Sequence, residues 1–112
     1  MRLVVEGDEE LGLLFEVTCL APPAAGMSDE ERTVTAAVRW WFETGEVSAD
    51  PYELAKPFPE HQRQISDSIL NRIRSGLRDI VDGPDLARAR VARRLLNRNW
   101  AGGPDDAQGT GS

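Results

Sequence analysis

Cysteine and histidine are nearly absent from this chain, with Cys19 and His61 as the single examples of each. One cysteine excludes an intrachain disulfide and a metal site with several cysteine ligands, and a reducing compartment is the simplest expectation. One histidine and one cysteine, without a carboxylate cluster at ligand spacing, are too few for a typical zinc site. We therefore predict that the protein holds no metal and no cofactor.

Long apolar runs are also missing. No stretch of the sequence approaches the roughly 18 consecutive apolar residues of a membrane span. Near the start of the chain, the apolar residues Leu3 to Val5 are followed at once by acidic residues, so the apolar core of a signal peptide is lacking. We expect a cytoplasmic protein that does not associate with membranes.

Sequence motifs that are typical of a particular enzymatic reaction are absent as well. The sequence has no glycine-rich phosphate loop and no nucleophile elbow. The acidic run Asp8 to Glu10 lacks the alternating oxygen ligands of a calcium loop, and a solvated turn is predicted there instead. Enzyme activity is therefore the class of function with the least support. One such alternative stays open, a small-molecule or enzymatic site in a cavity between a hairpin and helices, near Trp41, Phe42 and His61.

The length and composition are those of one small globular domain. The chain has 112 residues, of which 40% are hydrophobic and 29% are charged, and this composition is typical of folded rather than disordered proteins. We predict a single α+β domain over residues 1–100. The glycine-rich residues 101–112 are predicted to form a disordered C-terminal tail.

The net charge of −6 is unevenly distributed along the chain. Residues 1–60 carry thirteen acids and four bases, a net charge of −9, whereas residues 61–100 carry nine arginines and four aspartates, a net charge of +5. The simplest explanation is that the acidic and basic parts fold on each other and partly neutralise.

Two apolar stretches open the chain, Arg2 to Glu6 and Leu13 to Leu20, and the polar segment between them has glycine at both ends. This pattern predicts a β-hairpin. Alternate residues of the second strand, from Leu13 to Cys19, are predicted to face the core, with Cys19 as a small buried hydrophobic residue. Because a lone hairpin is marginally stable in water, it must pack on helices or pair with a second copy, which is a reason to expect a homodimer.

Helices are predicted after the hairpin. A capping box at Ser28 and Glu31 starts the first helix, and Asp50-Pro51 predicts a short helical turn. Apolar residues at helical spacing predict a long amphipathic helix from His61 to Asp82, and glycine and proline then open a last helix over about Asp85 to Asn99. The predicted fold class is α+β, with an N-terminal β-hairpin packed on about three α-helices, the last two forming an αα-hairpin.

Trp40 is the first candidate contact residue. On the first predicted helix it lies about 100° away from Trp41, beside Thr33, Ala36 and Thr44 and outside the apolar face. Burial beneath the hairpin, or beneath the proline-rich segment that follows, is one interpretation. The other is an exposed aromatic anchor for a partner protein, a role for which tryptophan is favoured.

The last helix carries the second candidate surface, an arginine face without an acidic residue of its own. It is formed by Arg90, Arg93, Arg94, Asn97 and Arg98. These side chains are solvated, paired with the acidic part of the chain, or bound to another molecule. A helix-turn-helix that contacts DNA or RNA is one interpretation, but the turn has no recognisable motif and the acidic remainder of the chain would repel a duplex. A partner protein with an acidic surface is therefore preferred.

Together these observations favour a non-catalytic protein-interaction module of the adaptor, assembly or inhibitor type. The candidate contact surfaces of this module are Trp40 and the arginine face, and we also expect a homodimer. The main alternative is a DNA- or RNA-binding regulator that recognises nucleic acid through the last helix.

Overall fold

The computed structural model describes residues 1–20 and 28–100, without the side chains of Cys19 and Leu20. The predicted inward position of Cys19 and the predicted tail over residues 101–112 lie outside what is described. The elements in the described part are β1 (Leu3–Val4), α1 (Asp8–Leu20), α2 (Asp29–Glu43), β2 (Ser48–Ala49), α3 (Pro51–Leu54), α4 (Gln62–Val81) and α5 (Leu86–Trp100). The fold is therefore mostly helical with a small antiparallel sheet, which agrees with the α+β class in a coarse sense.

The predicted second strand of the hairpin is wrong, because residues Asp8–Leu20 form helix α1. Among residues 8–18 of this helix, the buried side chains are Glu10, Leu13, Leu14, Val17 and Thr18. Their spacing of i, i+3, i+4, i+7 and i+8 is that of a helix face rather than a strand. Two of the five are polar, so the helical period is hidden when apolar residues alone are counted.

Strand β1 pairs with the distant β2 instead of with a neighbouring strand. The antiparallel register places Leu3 opposite Ala49 and Val4 opposite Ser48. In the part of the chain that the structure describes, no N-terminal hairpin is formed. The argument for a homodimer that rested on a hairpin edge is lost with it.

Helices α2 and α3 begin where the sequence predicts. The Oγ atom of Ser28 accepts a hydrogen bond from the Glu31 N–H at 3.1 Å, and the Glu31 carboxylate accepts one from the Ser28 N–H at 3.2 Å, which completes the capping box. After α2, Gly45 has a φ of +90°, a left-handed conformation that favours glycine. The carboxylate of Asp50 caps α3 by accepting from the Tyr52 N–H at 3.0 Å.

The predicted αα-hairpin is confirmed, since α4 and α5 are joined by a short turn and pack against each other. Helix α4 differs from its predicted bounds by one residue at each end. Gly76 lies where α4 meets α1, and a Cβ atom there would be 2.7 Å from Cγ1 of Val17. The missing side chain therefore permits the two helices to approach closely.

One core cluster joins the elements. Its fully buried members include Leu3 from β1, Leu14 from α1, Phe42 from α2, Leu77 from α4 and Leu95 from α5. Helix α1 packs against α2, α4 and α5. This position brings the acidic residues at the start of α1 close to the arginines of α5.

Candidate functional site

Trp40 lies on the outward side of α2, and 59% of its surface is exposed. The side of α2 that faces the core carries Val34, Val38 and Phe42, which are all buried. At about 100° per residue, Trp40 lies roughly opposite the centre of this buried side. The interpretation that the indole is buried is therefore wrong.

The outer face of α2 consists of Thr33, Ala36, Trp40 and Thr44, and all four residues are exposed. The hydroxyl of Thr33 donates to the Asp29 carbonyl at 2.9 Å, and that of Thr44 donates to the Trp41 carbonyl at 2.7 Å. Both hydroxyl protons are thus used within the helix. None of these four residues is charged, so they form an uncharged stripe of about three turns, which the exposed charged residues Arg39 and Glu43 border.

Two further large apolar residues are exposed beside this face. Trp41 follows Trp40 on α2, and Val47 lies in the loop that leads to β2. The N–H of Glu46 donates to the Trp41 carbonyl at 3.4 Å. The loop therefore folds back onto the end of α2 at Glu46, the residue before Val47.

The arginine face of α5 is divided by the fold. Arg98 donates to both carboxylate oxygens of Glu10, with 2.8 Å between Nη2 and Oε2, and its Nη2 also lies 3.3 Å from Glu6. The Nε of Arg94 lies 3.3 Å from Glu10, and its Nη2 lies 3.7 Å from Glu9. Arg94 and Arg98 are therefore paired with the acidic N-terminal part of the chain.

Glu10 is the centre of this charged cluster and is almost completely buried, with 1% of its surface exposed. The hydrogen bonds from Arg98 lower the pKa of Glu10 from its ordinary 4.5 to about 2, with further help from the Glu6 N–H and Arg94 and against the desolvation that raises it. The predicted solvated turn at this position is wrong, because α1 turns the carboxylate toward α5.

Arg90, Arg93 and Asn97, the other members of the arginine face, are exposed. Helix α1 runs antiparallel to α5, so that Glu16 pairs with Arg88 near the start of α5 and Glu10 pairs with Arg98 near its end. Among residues 1–20 and 28–100, Arg90 and Arg93 form no salt bridge. These three side chains are the part of the predicted arginine face that faces solvent.

Asn99 binds the backbone of strand β1 through its side-chain amide, a structural role that the sequence does not predict. Its Oδ1 accepts from the Val4 N–H at 2.9 Å, and its Nδ2 donates to the carbonyls of Val4 at 3.1 Å and of Leu95 at 3.0 Å. The side-chain amide thus takes the place of a second neighbouring strand for Val4 and satisfies both of its backbone groups. An asparagine near the end of an amphipathic helix gives no signal of this contact in a single sequence.

Among the described residues, His61 and Phe42 line separate surface pockets. His61 is exposed and lines a surface pocket of about 320 Å³ together with Glu30 and Glu31. Phe42 is buried and lines a different groove. Because the hairpin is not formed, the predicted cavity between hairpin and helices has no counterpart among the described residues.

Within the described ranges, no group of three or more histidine, cysteine, aspartate or glutamate residues is arranged to hold a metal ion. No helix in the same ranges has the length and apolarity that crossing a bilayer requires. No protein family model, no curated protein and no solved structure matches this chain. The surfaces of the molecule are therefore the basis on which a function is proposed.

Proposed function

We propose that this protein is a non-catalytic protein-interaction module and that the outer face of α2 is its main contact surface. The observation that carries the proposal is the exposed Trp40 at the centre of an uncharged helix face. Tryptophan is among the residues most enriched at binding hot spots, where a large side chain enters a pocket of the partner. An indole held in water on a regular helix is suited to that use.

The neighbours of Trp40 support this role. Ala36 lies one turn before it and Thr44 one turn after it, so the indole protrudes between small side chains. Small residues allow a partner element to approach within the 8–10 Å that is roughly typical of packed helices. The exposed Glu43 also lies one turn after Trp40, so a partner docked on this face would bury the indole and leave that carboxylate at the rim of the interface, in contact with water.

On α5 we assign partner contact to Arg90, Arg93 and Asn97, which would lie at the rim of an interface with an acidic protein surface. Arg94 and Arg98 are engaged by the buried Glu10. A partner that bound those two arginines would compete with the carboxylate and leave it buried without its counterions. We therefore assign Arg94 and Arg98 a structural role, which is to position α5 against α1.

The DNA- or RNA-binding alternative has less support. Two of the four arginines that it requires are engaged in ion pairs, and the chain has a net charge of −6. Nucleic-acid binders depend on several free lysine or arginine contacts to phosphates. Nucleic-acid binding is therefore not proposed as a second function, and retention of nucleic acid would count against the proposed interaction module.

The proposal is tested by affinity capture from an extract of the source cells, followed by quantitative mass spectrometry. The bait proteins are the wild type, Trp40→Ser and the control Tyr52→Ser. Tyr52 is 40% exposed on α3, so its replacement removes exposed aromatic surface that belongs neither to the outer face of α2 nor to α5. We expect the wild type and Tyr52→Ser to retain the same proteins and Trp40→Ser to lose them.

The retained protein is then purified and its affinity is measured directly. Loss of a hot-spot tryptophan costs 2 kcal/mol or more, so Trp40→Ser should weaken binding by about thirtyfold. Ala36→Glu, which adds a charge to the face but keeps a good helix former, should weaken it at least about tenfold. Light scattering over a dilution series tests whether the partner is a second copy of this chain. Equal capture by all three baits, with a constant monomer mass, would refute the proposal, as would retention of nucleic acid alone.

A further inference from the structure

Two grooves run along helix α1, one on each side. The groove between α1 and α5 has a volume of about 410 Å³, and the groove between α1 and α2 has a volume of about 420 Å³. Asp8 and Gly12 line both grooves. The two grooves therefore meet over the first turns of α1, and we call the joined surface the α1 saddle.

The α1 saddle has an apolar lining. The apolar residues that line it include Leu11, Leu13, Phe15 and Val91. Leu11, Phe15 and Val91 are half-buried, so part of each side chain faces the grooves. Apolar surface thus lies on both sides of Gly12.

The packing of the fold does not require a glycine at position 12, unlike at position 76. A Cβ atom built at this position meets no atom within 4 Å, and its φ is not in the left-handed region. Gly76 differs, because a Cβ atom there would be 2.7 Å from Cγ1 of Val17. Glycine inside a helix lowers helix stability relative to alanine. Close packing accounts for this cost at Gly76, whereas at Gly12 the missing side chain keeps the two grooves open to each other.

The rim of the α1 saddle is acidic. Its carboxylates belong to Asp8, Glu9, Glu16 and Glu43. Among the described residues that line the saddle, Arg88 alone is basic, and it pairs with Glu16. Acidic residues in the first turn of α1 favour that helix through its dipole. The same effect opposes Glu43, which is the last residue of α2, so helix stability does not account for that charge.

We propose that the α1 saddle is a docking site for a basic amphipathic segment of a partner protein. A large apolar side chain of the segment would lie over Gly12, and its lysine or arginine side chains would pair with Asp8 and Glu43. Charge complementarity selects this occupant, since an acidic peptide or a nucleic acid would meet like charges at the rim. The saddle adds a second surface to the proposed interaction module and does not depend on the outer face of α2.

The test uses a phage-displayed library of random 12-residue peptides selected against the full chain. We expect the selected sequences to be enriched in lysine and arginine around one or two large apolar residues. The corresponding synthetic peptides are then titrated by fluorescence anisotropy. Gly12→Leu should bind them at least about tenfold more weakly, because the leucine side chain fills the saddle. Gly12→Ala, which adds a single methyl group, should stay within about threefold of the wild type.

Charge and fold are controlled separately. The double variant Asp8→Asn with Glu43→Gln should bind the peptides more weakly than the wild type and with a smaller dependence on salt. Gly12→Leu should melt at or above the wild-type temperature, because no atom lies within 4 Å of the added Cβ. Peptides without basic enrichment, or with an affinity that Gly12→Leu does not change, overturn the saddle proposal. If such peptides lose binding on Trp40→Ser, they support the outer face of α2 instead, so the two proposals fail independently.

Discussion

Arg98 donates hydrogen bonds to both carboxylate oxygens of Glu10, and this pair joins the last helix of the protein to its first. Glu10 is buried, while the Arg98 side chain keeps 25% of its surface exposed. Removal of one member of such a pair leaves the other charge in a poorly solvated position. The acidic and basic parts of the chain are thus connected by a specific ion pair and not by diffuse attraction alone.

The first prediction concerns the two parts of the arginine face. Arg98→Gln should lower the free energy of unfolding by about 3 kcal/mol, because Glu10 stays buried with the longer contact to Arg94 as its remaining ion pair. Arg90→Gln, on the same helix but exposed, should change it by no more than about 0.5 kcal/mol. Urea unfolding followed by circular dichroism measures both values. Equal effects of the two substitutions would contradict the conclusion that Arg98 is paired with Glu10 while Arg90 faces solvent.

The second prediction concerns pH. The pKa of Glu10 falls from 4.5 to about 2 on folding, so its contribution to stability is fully present above pH 4.5 and is lost as the pH falls toward 2. One pKa unit corresponds to about 1.4 kcal/mol, so the fall from 4.5 to about 2 gives a contribution of at most about 3.5 kcal/mol. The advantage of the wild type over Glu10→Gln should therefore shrink between pH 5 and pH 2. Urea unfolding at a series of pH values tests this, and a constant difference would show that the carboxylate is not held by Arg98.

The third prediction concerns the two helical glycines. Gly12→Ala should raise the free energy of unfolding by up to about 1 kcal/mol, because the added methyl group meets no other atom and favours the helix. Gly76→Ala should lower it by about 1–2 kcal/mol, because its Cβ would clash with Val17. Denaturant unfolding of the two single variants gives the comparison. The opposite signs are the essential result, and equal signs would show that α1 and α4 do not pack as described.

The fourth prediction concerns the indole environments. The chain has three tryptophans, of which Trp40 is 59% exposed and Trp41 36% exposed. Trp40→Phe should move the fluorescence emission of the folded protein to shorter wavelength and reduce its quenching by acrylamide, because the most exposed of these two indoles is removed. Trp41→Phe is the matched control and should have a smaller effect. A shift to longer wavelength for Trp40→Phe would place this indole in the interior.

The elements that the sequence predicts well are those with strong local signals. The capping box at Ser28 and Glu31 sets the start of α2, and the apolar period of α4 sets its bounds to within one residue. Glycine and proline between α4 and α5 mark the turn of the helical hairpin. Each of these features depends on side chains a few residues apart, so each can be predicted from the sequence without knowledge of the tertiary contacts.

Helix α1 shows why the rest is not predictable in the same way. From the sequence, Gly12 is predicted to end a loop and Glu10 to be exposed to solvent, because glycine and glutamate usually occupy such positions. Both lie inside the helix because one side of α1, which includes the buried Leu14 and Val17, packs against α2, α4 and α5. Glu10 is buried against Arg98, and Gly12 is exposed.

The two candidate surfaces show the same difference between what the sequence predicts and what the tertiary structure decides. Helical geometry alone places Trp40 outside the apolar face of α2, but its exposure is decided by what packs above it, and the missing hairpin leaves it open. The arginines of α5 are visible in the sequence as one face. The antiparallel packing of α1 on α5 decides which of them are paired, since it brings Glu10 to Arg94 and Arg98 and leaves Arg90 exposed.

The sequence by itself determines α2, α4 and α5, the asymmetric distribution of charge and the presence of an aromatic and an arginine-rich helix face. The physical reason is that caps, apolar periods and helix stops act over one or two turns. The tertiary structure alone decides that residues 8–20 are helical, that β1 pairs with β2, and which charges are buried together. These outcomes depend on contacts between residues far apart in the chain, where burial and ion pairing outweigh the local preference of each segment.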